Sequence, residues 1–148
     1  MTPLATAAEP RAPGEAPTLV QITGEADLLR VRSTLRAQAQ VAGLGLTAAT
    51  KLVTAGSELA RNIVRYATHG QGVVLVETAE EGSRRGVRAR FSDDGPGIVD
   101  LGAAMTDGYS SGGSMGLGLP GSRRLMDEFE IDSVPGRGTT IVICQWNR

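Results

Sequence analysis

The sequence predicts an α/β chain folded as a two-layer α/β sandwich, with a mixed, mostly antiparallel sheet covered by helices on one face. Three observations carry this. Residues 27–42 and 47–68 place apolar side chains at helical spacing, one stretch after the other. Strand-like segments come in adjacent pairs joined by turn residues: 73–78 with 87–91, and 129–134 with 139–144. The resulting order, β-α-α-β-β-loop-α-β-β, lacks the regular βαβ alternation of a parallel doubly wound fold.

Taken in order, residues 1–17 hold Pro3, Pro10, Pro13 and Pro17 among small and polar residues. Such a segment buries too little apolar surface to offset its ordering entropy, so a disordered tail is expected, with a docking segment as the alternative. Residues 18–148 are expected to form one domain. Residues 18–23 alternate as a short strand. In the first helix Leu28, Val31, Leu35, Ala39 and Ala42 recur on one face, and Gly43 is placed to stop it. Thr47 is the expected cap of the second helix, whose inward stripe runs through Ala49, Leu52, Val53, Gly56, Leu59, Ala60, Ile63, Val64 and Ala67. Glu58, Asn62, Arg65 and His69 form a polar stripe on another face, and Gly70 and Gly72 end the helix. A charged turn over residues 80–86 joins the next two strands. After a glycine-rich stretch, residues 119–126 are expected to be helical, with Arg123 and Asp127 spaced to pair. The turn Pro135-Gly136-Arg137-Gly138 joins the last two strands.

Composition narrows the function. The chain has 148 residues, a formal net charge of −1 and 3% aromatic residues. With no basic block and few rings to stack on bases, direct nucleic-acid binding is not expected. No apolar run reaches membrane-spanning length and no signal peptide is evident, so no membrane association and a cytoplasmic location are expected. Cys144 is the one cysteine, in an apolar run, and reads as a buried inert thiol. His69 is the one histidine, which leaves a metal cluster or a Ser-His-Asp triad without support; it reads as a helix-terminating residue.

The chemistry concentrates in two places. Residues 91–121 (FSDDGPGIVDLGAAMTDGYSSGGSMGLGLPG) carry acidic-then-glycine turns and then Gly116-Leu117-Gly118-Leu119 at the opening of a helix. Glycine lets backbone lie against a ligand, and a helix start offers unpaired N–H groups to a phosphate. Asp93 at a strand end can accept from an exocyclic amine such as adenine's, with Gly95 and Gly97 giving room; it can equally be a tight acidic turn. The second place is Glu58 and Asn62, one helical turn apart. Asn62 can supply one oxygen to Mg²⁺ while phosphates supply the rest, and Glu58 can accept a proton; the same spacing also describes an ordinary exposed helix face. Gly116 to Gly121 fits G-x-G-x-x-G, but no strand precedes it, which excludes the dinucleotide fold. The P-loop and the Val-Ala-Ile-Lys, His-Arg-Asp and Asp-Phe-Gly elements are missing too.

Together these pieces resemble the nucleotide-binding boxes of the Bergerat-fold (GHKL) ATPase/kinase superfamily, which includes histidine-kinase catalytic domains and anti-sigma-factor kinases. Glu58-Leu-Ala-Arg-Asn62 looks like the N box, Asp93-x-Gly95-x-Gly97 the G1 box, Gly116-Leu-Gly118-Leu the G2 box, and Gly138-Thr139-Thr140 the last element. The match runs over residues 18–144. SELARNIVRYA, DDGPGI, DGYSSGGSMGLGLPGSRRLMDEF and GRGTTI look closest to the RsbT-type serine/threonine kinases, switch proteins of stressosome modules.

The resemblance implies an ATP- and Mg²⁺-dependent protein kinase that phosphorylates a STAS-domain antagonist, then binds and activates a PP2C-type phosphatase. It implies Asn62 as the Mg²⁺ ligand, Glu58 as the base and Asp93 as the reader of adenine. Gly95, Gly97, Gly116, Leu117, Gly118, Leu119 and Thr139 or Thr140 would shape the ATP pocket. The chain departs from the pattern in its proline-rich tail and in a lid, residues 107–115, without Lys or Arg. Two alternatives stand beside this reading: an anti-sigma factor kinase that binds a sigma factor directly, and a nucleotide-binding module without turnover. A histidine kinase is not expected, because no phosphoacceptor hairpin fits upstream in this length.

Overall fold

The computed structural model describes residues 16–98, 104–105 and 118–147. The expected tail falls almost wholly outside these. Ala16 is described, and its carbonyl accepts a hydrogen bond from the buried Gln38 side chain at 3.1 Å.

Five strands form one sheet in the order β1-β2-β3-β5-β4, with β1 Thr18–Ile22, β2 Gly72–Glu81, β3 Arg84–Asp93, β4 Glu128–Val134 and β5 Gly138–Trp146. Every pairing is antiparallel, so the sheet is antiparallel throughout rather than mixed. The strands are longer than the apolar alternation suggested. β2 and β3 continue through Glu80↔Arg85 and Glu81↔Arg84, closing on Gly82-Ser83. Opposite charges face each other across those pairs, and Arg84 and Glu81 form an ion pair, so a polar ribbon sustains the ladder where the hydrophobic pattern stops.

The α-helices whose bounds fall among the described residues are α1 Leu28–Ala42, α2 Leu46–Tyr66 and α3 Gly118–Leu125. α1 ends as expected at Gly43, which is left-handed (φ 77°); the N–H of Leu44 returns to the Ala39 carbonyl at 2.9 Å. α2 corrects the expected cap. Gly45 caps it, its carbonyl accepting from the Ala49 N–H at 2.9 Å, and Thr47 already lies inside the first turn. α2 also stops earlier than expected, at Tyr66. Ala67 is extended and His69 takes a left-handed conformation (φ 56°) in the turn that leads to β2. α3 ends before Asp127, whose carboxylate accepts the Trp146 backbone N–H at 2.8 Å and so joins the helix exit to β5.

One face of the sheet packs on the helices. Cross-strand rows such as Val20, Val74, Phe91 and Ile141 meet Leu35 of α1 and Leu52, Leu59 and Ile63 of α2 in a single core. Burying a side chain of this size contributes about 1.5–3 kcal/mol. The two long helices form an antiparallel hairpin and cross closely at Gly56: a Cβ there would collide with Leu35 Cδ1, while Phe91 lies just beneath.

On the opposite face Ala79, Cys144 and Trp146 make a small second cluster. The Arg84 guanidinium lies 4.3 Å from the Trp146 ring centroid, and Glu128 accepts from the indole N–H at 2.8 Å. Burial pushes the Cys144 thiol up to about 11, and nearby Glu128 adds to this, so the expected inert thiol is what the fold holds.

Candidate functional site

The site forms where α2 passes over the ends of β3 and β5. Asp93 is the last residue of β3, paired across the sheet with Gly72 on one side and Thr139 on the other. Its Oδ1 accepts the Gly95 N–H at 2.8 Å, the turn that a short carboxylate makes with a donor two residues on. Burial raises the Asp93 pKa, and Asp94 nearby adds to the rise; hydrogen bonds from the Gly95 and Thr139 backbones oppose it.

The glycine turn after Asp93 is fastened to the β4–β5 hairpin. The Gly136 N–H donates to the Pro96 carbonyl at 2.8 Å and the Ile98 N–H to Ser133 Oγ at 2.7 Å; Ser133 Oγ also lies 2.7 Å from Thr139 Oγ1. Gly97 (φ 77°) leaves no room for a side chain, since a Cβ would lie 2.8 Å from the Val134 carbonyl carbon. Gly138 (φ 111°) lies even tighter: its Cβ would run into the Asp93 carbonyl oxygen. Thr139 shares the helix-facing side of β5 with Ile141 and Ile143, whereas Thr140 is one residue out of phase and pairs with Ser92 and Asp132 on the far face. The structure therefore brings Thr139, and not Thr140, to Asp93.

From above, α2 supplies Glu58 and Asn62. Glu58 is buried (7% exposed), in contrast to the exposed stripe that spacing alone allowed, and Asn62 is half-buried. Arg61 Nη1 donates to Glu58 Oε1 at 2.8 Å. Ile63, the next residue after Asn62, descends onto Gly72, where a Cβ would come within 2.8 Å of Ile63 Cγ2 and 3.3 Å of Asp93 Cβ. This contact seats the helix segment that follows Asn62 beside Asp93.

Gly116 and Leu117 lie outside the described residues, as does the lid over 107–115. Gly118 opens α3 with a left-handed backbone (φ 67°), and Leu119 enters the core, anchoring that helix beside α2. Sequence reasoning passed over Gly72 and Ser133. Gly72 read as a helix stop, and a serine in an alternating strand carries no local signal of a partner 35 residues earlier.

Asn62 offers a neutral side-chain oxygen, the kind of single protein ligand that Mg²⁺ accepts when phosphates complete its shell. Among the described residues no group of three His, Cys, Asp or Glu gathers.

The chain matches the model of the Histidine kinase-like ATPase domain family over residues 23–146 and belongs to that family. The antiparallel sheet with its covering helices agrees with that assignment. Within it, the chain is a homologue of the serine/threonine-protein kinase RsbT of Bacillus subtilis (strain 168), with 42% identity over 129 residues, 87% of this chain and 96% of that protein. The enzyme class expected from the sequence, a protein serine/threonine kinase, is thus the class of this relative. Among the described residues no helix is long and apolar enough to cross a membrane.

Proposed function

We propose that the chain is an ATP- and Mg²⁺-dependent serine/threonine kinase that acts as a partner switch. It phosphorylates a STAS-domain antagonist and, once released, binds and activates a PP2C-type phosphatase. The observation that carries the kinase reading is the buried carboxylate of Glu58, one helical turn from Asn62 on the helix that seats Ile63 against Gly72 and Asp93. The kinship with a serine/threonine-protein kinase supports it.

In this reading the Asp93 carboxylate accepts the adenine amine, and the Gly95–Gly97 backbone lies along the base. Asn62 would hold Mg²⁺, which neutralises phosphate charge when bound. Glu58 takes the proton of the target Ser or Thr hydroxyl. The γ-phosphoryl group then passes to that oxygen and ADP leaves. Most of the rate comes from positioning and charge compensation.

Purified chain with ATP, Mg²⁺ and a cognate STAS protein should transfer phosphate to a Ser or Thr. Glu58→Ala should slow transfer by about 10²–10⁴-fold, the usual contribution of a positioned base. No transfer to any cognate STAS protein would overturn the proposal.

The helical layer supports a protein partner. It carries Arg30, Arg32 and Arg36 on α1, Lys51, Arg61 and Arg65 on α2, and Arg123 and Arg124 on α3, against Glu58 on α2 and Glu25 and Asp27 in the short turn that leads into α1. Leu35 packs opposite Gly56, so Arg32 lies level with the Glu58–Asn62 turn, and Leu29 in the first turn of α1 is 70% exposed. An acidic partner surface suits this face, with an apolar contact at its edge. Reversing charge at Arg32 and Arg36 should lower kcat/KM for the protein substrate about tenfold at low salt while nucleotide affinity holds. Steady-state kinetics across ionic strength check this.

A further inference from the structure

Glu58 is engaged by a neighbouring cation. Its side chain is 9% exposed, and the Arg61 guanidinium, 38% exposed, donates to Oε1 at 2.8 Å. A charge-assisted bond of this length is among the stronger contacts a carboxylate makes. One of the two oxygens that a proton acceptor could use is therefore occupied by a cation.

We propose that Arg61 is a catalytic residue with two stations. At one it holds Glu58, the contact seen here; at the other, with ATP bound, its guanidinium turns to the γ-phosphate and leaves the carboxylate free to take the hydroxyl proton. This rests on the kinase reading above and assigns within it a residue and a sequence of contacts.

The argument begins with reach. A base acts within about 2.6–3.2 Å of the hydroxyl it deprotonates, and an attacking oxygen waits about 3–3.5 Å from the atom it attacks. A guanidinium bonded to the base is therefore already in the neighbourhood of the γ-phosphate. Positions 58, 61 and 62 share one helical face, so Arg61 and Asn62 both border Glu58.

Charge supplies the drive. The lid sequence over residues 107–115 contains no Lys or Arg to meet the terminal phosphate. A phosphate offers a guanidinium more charge and more acceptor oxygens than a carboxylate does, in a geometry that accepts two parallel N–H donors. ATP can thus outcompete Glu58 for Arg61, whereas ADP, lacking the γ-phosphate, cannot. The base is released only when there is a phosphoryl group to transfer.

Binding measurements separate this from a merely structural ion pair. Titration calorimetry on the full chain with Mg²⁺ would compare a non-hydrolysable ATP analogue with ADP. Glu58→Gln removes the rival charge and should bind the ATP analogue about three- to tenfold more tightly, with ADP affinity unchanged. Arg61→Gln should weaken the ATP analogue by about tenfold and spare ADP, with Arg61→Lys in between. In the double variant the gain from Glu58→Gln should vanish.

Equal effects on both nucleotides, or a gain that persists without Arg61, would overturn the inference while leaving the kinase reading in place. Wild-type protein that takes up neither nucleotide would overturn both.

Discussion

Asp93→Asn should bind adenine nucleotides on the order of 100-fold more weakly than the parent, and yet fold at least as stably. The weakening follows from the turn. Oδ1 is committed to the Gly95 N–H, so an asparagine oriented to keep that bond presents its NH₂ group where the second carboxylate oxygen stood. Two donors, the amide and the adenine amine, would then face each other. Guanine carries an acceptor at that position, so the ATP-to-GTP preference should narrow or reverse. Competition binding with the two nucleotides checks this.

The stability claim has the opposite sign from that for an ordinary salt-bridged aspartate. Burial raises the Asp93 pKa, so the folded protein holds this proton more tightly than the unfolded chain does. The stabilisation is complete below the unfolded value of about 3.9 and is lost as pH rises through the raised folded value. Above that window the ionised carboxylate is a net cost that asparagine does not carry. Denaturant melts of both proteins from pH 4 to 7 should show the variant gaining on the parent across the window and a constant difference beyond it. A variant less stable than the parent at neutral pH would contradict this.

Gly138→Ala should be the most damaging substitution in the site. The backbone there lies at φ 111°, and the new methyl would run into the Asp93 carbonyl oxygen while lying 3.0 Å from Asp94 Cα. Strain of about 1–3 kcal/mol joins overpacking of similar size, giving a loss of about 2–5 kcal/mol from a total stability of about 5–15 kcal/mol. Because the clash falls on Asp93 itself, nucleotide affinity should fall with stability. Gly136, two residues earlier in the same turn, supplies the control. It also has positive φ (84°), but nothing lies within 4 Å of its missing Cβ, so Gly136→Ala should cost only about 1 kcal/mol. Thermal melts of the two variants side by side would test the difference, and equal losses would mean the contact with Asp93 is not what matters.

The contrast between those two glycines also shows what the sequence could reveal. Periodicity placed both long helices and all five strands, because a face that packs on a core must repeat at the period of its element. It failed at edges where polar residues extend a structure. Glu80, Glu81, Arg84 and Arg85 read as a turn but pair across a ribbon, and Thr47 read as a cap although Gly45 begins the helix. Glu58 and Asp93 could be singled out as candidate site residues from local pattern. Their surroundings could not, because Gly72 beneath Ile63, Ser133 bridging to Ile98 and Gly138 against Asp93 are contacts between segments far apart in the chain. Local pattern carries no record of them.

The order of the sheet has a consequence for how the protein comes into being. β5, which follows the other four strands of the sheet in the chain, is interior: it inserts between β3 and β4 and brings Thr139 to Asp93. A nascent chain released early would have its helices and first hairpin, but neither its central ladder nor a finished nucleotide pocket. Competence thus requires residues 138–146, and chains truncated before them should be inert as well as unstable.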